Sequence, residues 1–199
     1  MDTSVTDWEE FLNGDMQAFG RIYARFAPLL YNYGRKQTAS PALVEDCIQD
    51  IFEYILAHHR QLSPVNNVKA YLLTAYRRAL LQKLTTERKT TNIDTSTSPL
   101  SNFELVISPE SQLIQSQSHL ERRRKVVHEL NILPARMKEV LYLRFYENLP
   151  FEDIAAIMHI DQRSVYKMVY KAFGKLRQKL VDFPLWLLSS AIISLSWSW

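Results

Sequence analysis

The chain has 199 residues, 47% of them hydrophobic, with a formal net charge of +3, four glycines and a single cysteine. That length can fill two modest cores, while one cysteine excludes an intrachain disulfide and a multi-cysteine zinc site, as suits a reducing compartment. The charge is uneven: residues 1–60 carry 5 Lys+Arg against 9 Asp+Glu, and residues 119–180 carry 13 against 7, so an acidic first half and a basic second half are expected to meet different partners.

The first 30 residues contain acids and no basic-plus-apolar run, so no secretory signal is expected. Asp15 can cap a helix whose Phe19, Ile22, Tyr23, Phe26, Leu29 and Leu30 form an apolar stripe, with a kink expected at Pro28. Ser40 and Pro41 read as cap and first-turn proline of a second helix. Its Val44, Ile48, Ile51, Phe52 and Ile55 face inward, and Cys47 reads as a buried or bystander thiol. Asp46, Gln49, Asp50 and Glu53 line the other side. Carboxylates four apart can serve a metal or acid–base chemistry, but nothing else supplies ligands or a pocket, and a docking face for a basic partner fits better than a plain solvated face.

Residues 58–67, HHRQLSPVNN, are polar and rich in turn formers, so they read as a loop. A third helix follows from Val68, with Lys69, Arg77, Arg78 and Lys83 on its polar sides. Its Tyr71 and Tyr76 among bases suit unpaired DNA, where rings stack on bases and cations track phosphates; either tyrosine also reads as core. Residues 85–118 are dominated by Ser, Thr, Asn and Gln and read as a flexible interdomain linker with a weak net charge of −2 (2 bases, 4 acids).

Helix is expected again near His119, through Arg122-Arg123-Arg124-Lys125, with a break at Leu133-Pro134. Residues 135–146 then form a supporting helix burying Met137, Val140, Leu141 and Phe145. Pro150 precedes a short helix with Phe151, Ile154, Ala155 and Met158 on one face and Glu152 and Asp153 in its first turn. After the short connection 159–161, Asp161 can cap a helix that buries Val165, Met168, Val169, Ala172, Phe173 and Leu176 and carries Arg163, Lys167, Lys171 and Lys175 every four residues. Two helices joined by a tight turn, the second basic on its outer face, form a helix-turn-helix that reads a major groove. The bland reading of the lysines is a solvated face; the net charge of +6 over residues 119–180 favours phosphate neutralisation. The fold class is therefore all-α: two small helical domains, 1–84 and 119–182, joined by the linker 85–118, the second a helix-turn-helix, followed by a tail at 183–199.

This arrangement resembles a bacterial RNA polymerase sigma factor of the sigma-70 family, extracytoplasmic-function type, over about residues 15–180. The C-terminal likeness lies in Leu133-Pro134, Glu139, Leu143-Arg144-Phe145-Tyr146, Glu152-Asp153-Ile154-Ala155, Val165-Tyr166-Lys167, Lys171-Ala172 and Leu176-Arg177. The N-terminal likeness lies in Phe19-Gly20-Arg21-Ile22-Tyr23 and in Val44 through Phe52. The resemblance implies that Asp46, Gln49, Asp50, Phe52 and Glu53 dock core RNA polymerase. It implies that Gln162, Arg163, Ser164, Lys167 and Lys171 read an upstream, minus-thirty-five-type promoter element. Asn66, Asn67, Tyr71, Tyr76, Arg77 and Arg78 would hold the melted downstream element. It admits an anti-sigma factor as a further partner and requires no cofactor, metal or covalent chemistry. The chain departs from the family pattern at His159, where a small turn residue is usual, and at Arg78 and Gln82, where many members carry Asn and Asp.

Residues 183–199, FPLWLLSSAIISLSWSW, carry no charge and three tryptophans. As a helix they would span about 25 Å, short of the roughly 30 Å hydrocarbon core. Packing on the protein's own domains, contact with a membrane or membrane protein, and a soluble partner all remain open, so the expected location is the cytoplasm with membrane association through the tail as an option. Two other functions stand beside promoter recognition: a helix-turn-helix regulator acting without polymerase, and a protein-binding adaptor.

Overall fold

The computed structural model describes residues 3–90, 103–105 and 126–179, and every regular element among them is helical. The chain divides into two compact units, Met1–Pro99 and Leu100–Trp199. The tail at 183–199 and most of the linker lie outside the described residues. Among the described residues no helix is long and apolar enough to cross a membrane.

Among its described residues the first unit holds four α-helices, α1 (Thr3–Leu12), α2 (Met16–Arg35), α3 (Pro41–Ala57) and α4 (Val68–Thr90), with one 3-10 turn at His59–Gln61 inside the segment read as a loop. Their starts follow from local chemistry. The Asp15 carboxylate accepts from the Gln17 amide at 2.8 Å, and Ser40 Oγ accepts from the Leu43 amide at 3.3 Å, with Pro41 next in line. At α4 the cap is Asn67, whose Oδ1 accepts from the Ala70 amide at 3.1 Å. Helix α2 runs on through Pro28 to Arg35. Helix α4 continues into the segment read as linker; Thr85 and Thr86 hydroxyls donate back to the Leu81 and Gln82 carbonyls at 2.7 and 3.0 Å, which lets them sit in a helix.

The core of this unit lies where α1, α3 and α4 pack around α2. Trp8, Ile22, Leu30, Tyr33, Leu72 and Tyr76 are sealed in it, each adding about 1.5–3 kcal/mol by leaving water. At Gly34 the helices approach so closely that a Cβ would overlap the Tyr76 hydroxyl and lie 3.0 Å from a Val44 methyl. Helix α1, which hydrophobic periodicity does not reveal, is tied down twice. Arg21 of α2 pairs with Asp7 at 2.6 Å and Glu10 at 2.5 Å, and the Trp8 indole donates to the Ser63 carbonyl at 3.2 Å.

In the second unit, α5 is helical over 126–132 among the described residues, and α6 (Ala135–Leu141) runs into a wide π turn at Tyr142–Tyr146. Then come α7 (Phe151–Met158) and α8 (Gln162–Lys179). Helix α8 packs on α6 and α7 through Val165, Ala172 and Leu176. Val140 and Leu141 are buried as expected, but Met137 and Phe145 are only half-buried; for Phe145 the cause is the π turn, which rotates it off the α-helical register. Phe145 meets Phe173 edge-on at 5.6 Å. A short piece of the linker joins this unit: Phe103 and Leu105 are buried, with Glu104 exposed between them.

Candidate nucleic-acid interface

The outer face of α8 is a basic surface. Gln162, Arg163, Lys167, Lys171 and Lys175 are all exposed on it, and Tyr166 and Tyr170 lie along the same side. Ser164 is half-buried and committed to the helix start: its amide and hydroxyl donate to the Asp161 carboxylate at 2.8 and 2.6 Å. Those two bonds hold the Asp161 carboxyl below its ordinary range. The turn that aims α8 is set by His159, which adopts a left-handed conformation (φ 51°, ψ 51°). The Ile160 amide then reaches the Ala155 carbonyl at 3.1 Å and the His159 amide the Ala156 carbonyl at 3.2 Å, the two bonds of a Schellman ending. At the other end of α7, Arg144 donates to the Leu149 carbonyl at 2.9 Å and lies 4.8 Å over the Phe151 ring, which in turn packs on Tyr166 at 4.4 Å.

Residues 22–90 match the family model for sigma-70 region 2, and residues 123–176 match that for sigma-70 region 4. The chain belongs to the sigma-70 family. RNA polymerase sigma factor CarQ of Myxococcus xanthus is 25% identical over 177 residues, covering 89% of this chain and 97% of CarQ. The sigma-E factor of Haemophilus influenzae, of the extracytoplasmic-function group, is 25% identical over 86% of this chain and 92% of its own. In fold, the chain is similar to the sigma factor RpoE of Bartonella quintana, solved in complex with the anti-sigma factor NepR: the TM-score is 0.60 at 18% identity, covering 85% of this chain and all of that one. The protein is an extracytoplasmic-function sigma factor, a non-catalytic subunit that acts with core RNA polymerase in transcription initiation.

In this sigma factor the acidic face of α3 is presented much as its spacing suggests. Asp46, Gln49, Asp50 and Glu53 are exposed. Gln49 donates to Glu53 at 2.7 Å, and Lys83 of α4 pairs with Asp50 at 2.6 Å, so part of the acidic charge is balanced from within the unit. Phe52 departs from the expectation of a docking residue. It is 3% exposed, with Tyr23 4.8 Å and Phe19 6.0 Å away, because the spacing that puts the acids outside puts position 52 inside. The large apolar groups that α3 does expose are Tyr54 and Leu56, which the acid-centred reading of the sequence passes over.

The downstream set divides more sharply. Asn66 and Arg78 are exposed, whereas Asn67 spends its side-chain oxygen on the α4 cap. Tyr71 is half-buried against Trp8 at 5.1 Å. Tyr76 is not available for stacking on a base. It lies fully inside the core beside Tyr33, burial pushes its phenol far up, and its hydroxyl has no hydrogen-bond partner among the described residues. Arg77 is 5% exposed, which removes it from the phosphate-tracking face. Both corrections have one cause: α4 is covered on several sides, so its inward face is wider than an amphipathic stripe. Cys47 is also sealed in, and loss of solvation pushes its thiol up to about 11, far from a nucleophile's range. Among the described residues no group of three metal-ligating side chains comes together.

Proposed function

We propose that α7 and α8 form a helix-turn-helix whose second helix enters the major groove of an upstream promoter element. Gln162, Arg163, Lys167 and Lys171 make base and phosphate contacts, Ser164 holds the helix start, and Lys175 adds phosphate contact. The acidic face of α3, through Asp46, Gln49, Asp50 and Glu53, grips a basic surface of core polymerase, with Tyr54 and Leu56 giving burial beside the charges. The exposed Asn66 and Arg78, with the free edge of Tyr71, face the melted downstream strand. Carrying this reading is one observation: a basic stripe, exposed among the described residues, on a helix whose start is fixed by both a Schellman turn and the Asp161 cap.

An anti-sigma factor belongs to the proposal as a further partner, supported by the likeness to the Bartonella quintana protein solved with one. Contact of residues 183–199 with a membrane is tested by deleting them and fractionating cells: an unchanged distribution would remove it. The central experiment is run-off transcription with purified core polymerase on a random promoter library. Selection of a common upstream element, lost with Arg163→Ala and Lys171→Ala together, supports the assignment. Initiation that is indifferent to both substitutions would end it. Charge reversal at Asp46 and Glu53 is expected to abolish core binding with the fold intact.

A further inference from the structure

Within the linker, three described residues behave unlike their polar neighbours. Phe103 is 1% exposed and Leu105 8%, with Glu104 outside, the alternation of an extended segment lying in a groove. The Phe103 ring sits 5.6 Å from that of Tyr142, which is itself fixed by its hydroxyl donating to buried Glu147 at 2.7 Å. Asn131 at the end of α5 treats Leu105 as a neighbouring strand would. Its Nδ2 donates to the Leu105 carbonyl at 2.8 Å, and its Oδ1 accepts from the Leu105 amide at 3.0 Å. Lys138 donates to the Asn131 carbonyl at 3.3 Å, and Glu104 opposes the loss of charge that burial forces on that lysine. Two apolar anchors, a complete pair of backbone bonds and an opposite charge make a specific seat for this tripeptide.

We propose that this groove on the C-terminal unit is a binding site for the chain's own Phe103–Leu105 segment, and that the clasp sets the working length of the tether between the two units. Residue 105 is bonded to residue 131, so everything from 106 to 130 lies inside a closed loop and adds nothing to the reach. The tether then runs over residues 91–102, between the end of α4 and Phe103, and spans at most about 45 Å. Opened, it would extend as far as residue 118, the end of the linker, up to about 100 Å. Effective concentration falls roughly as the −3/2 power of tether length, so the clasp raises that of one unit near the other by up to roughly threefold. For a sigma factor whose two units read two promoter elements, as proposed above, the clasp narrows the range of element spacings that can be engaged together.

The test uses the full chain, with Cys47→Ala and donor and acceptor dyes on Ala24→Cys and Ala156→Cys. Inserting ten Gly/Ser residues between Ser96 and Thr97 should broaden the distance distribution. The same insertion between Ser108 and Pro109 should leave it unchanged. With Phe103→Ala and Asn131→Ala together, the two insertions should act alike. Equal responses in the parent chain would overturn the clasp, whatever polymerase does. Transcription from promoters of graded spacing then tests the consequence: broader tolerance with the first insertion and with the double substitution, and parental tolerance with the second insertion. Parental tolerance in all three, with the distance result intact, would keep the clasp and refute its role in spacing.

Discussion

Gly34→Ala is the sharpest probe of how the first unit is packed. A methyl there overlaps the Tyr76 hydroxyl and meets a Val44 methyl at 3.0 Å, and none of the three helices can move without disturbing the others. Overpacking of this kind costs about 1–3 kcal/mol, set against roughly 0.5–1 kcal/mol gained by replacing glycine inside a helix. A net loss of about 2 kcal/mol is expected at the upper part of that range. Tyr76→Phe removes the overlapping oxygen together with a buried hydroxyl that has no partner among the described residues, and should be neutral or stabilising by about 1 kcal/mol. The double variant should therefore exceed the sum of the single effects by about 2 kcal/mol in the stable direction. Native-state hydrogen exchange in peptides from α2 and α4 measures this, because it reports the opening of the first unit rather than the second. Additivity within about 0.5 kcal/mol would refute the packing account.

His159→Gly should raise the melting temperature of the second unit, by about 0.5–1 kcal/mol in stability, because glycine enters the left-handed region without the Cβ penalty; a loss would mean that the imidazole does something at the turn beyond accepting it. Arg163→Ala should cost about 1–3 kcal/mol on the selected promoter and little on scrambled DNA, whereas Lys175→Ala should weaken both and reduce the salt slope by about 1, as read by anisotropy titrations over a salt series. An equal loss on both DNAs would reclassify Arg163 as a phosphate contact. The Asp161 carboxyl is lowered from 3.8 by its bonds from Ser164, so the cap's contribution is complete above 3.8 and drains as pH falls through the lower folded value. Carboxyl titration by NMR should show this, with Asp161→Ala lacking the acid-side loss; a midpoint at or above 3.8 would contradict the capping geometry.

Helices with strong one-sided patterning are readable from the residues alone: α2, α3, α7 and α8 begin where Asp15, Ser40, Pro150 and Asp161 place them. The exposed basic stripe of α8 is legible for the same reason. Helix α1 is not, since its inward face is Ser4, Asp7, Trp8 and Phe11, half of it polar and satisfied only by partners such as Arg21. Tyr76 and Arg77 mislead because tertiary cover, not sequence, decides how many faces of α4 are wet. The Phe103–Leu105 seat is shorter than any periodicity, and its key partner, Asn131, is 26 residues away.

The ties on α1 bear on where this protein can be shortened. The family match begins at residue 22, so trimming to that boundary would discard the whole helix and Arg21 with it. Trp8 would no longer hold the Ser63 carbonyl or cover the Tyr71 ring, three residues before Asn66 on one side and one helical turn past the α4 cap on the other. A fragment cut by family resemblance would keep every side chain assigned to the downstream strand while losing the brace that holds their loop in place. Its DNA contacts would be those of a looser molecule than the full chain.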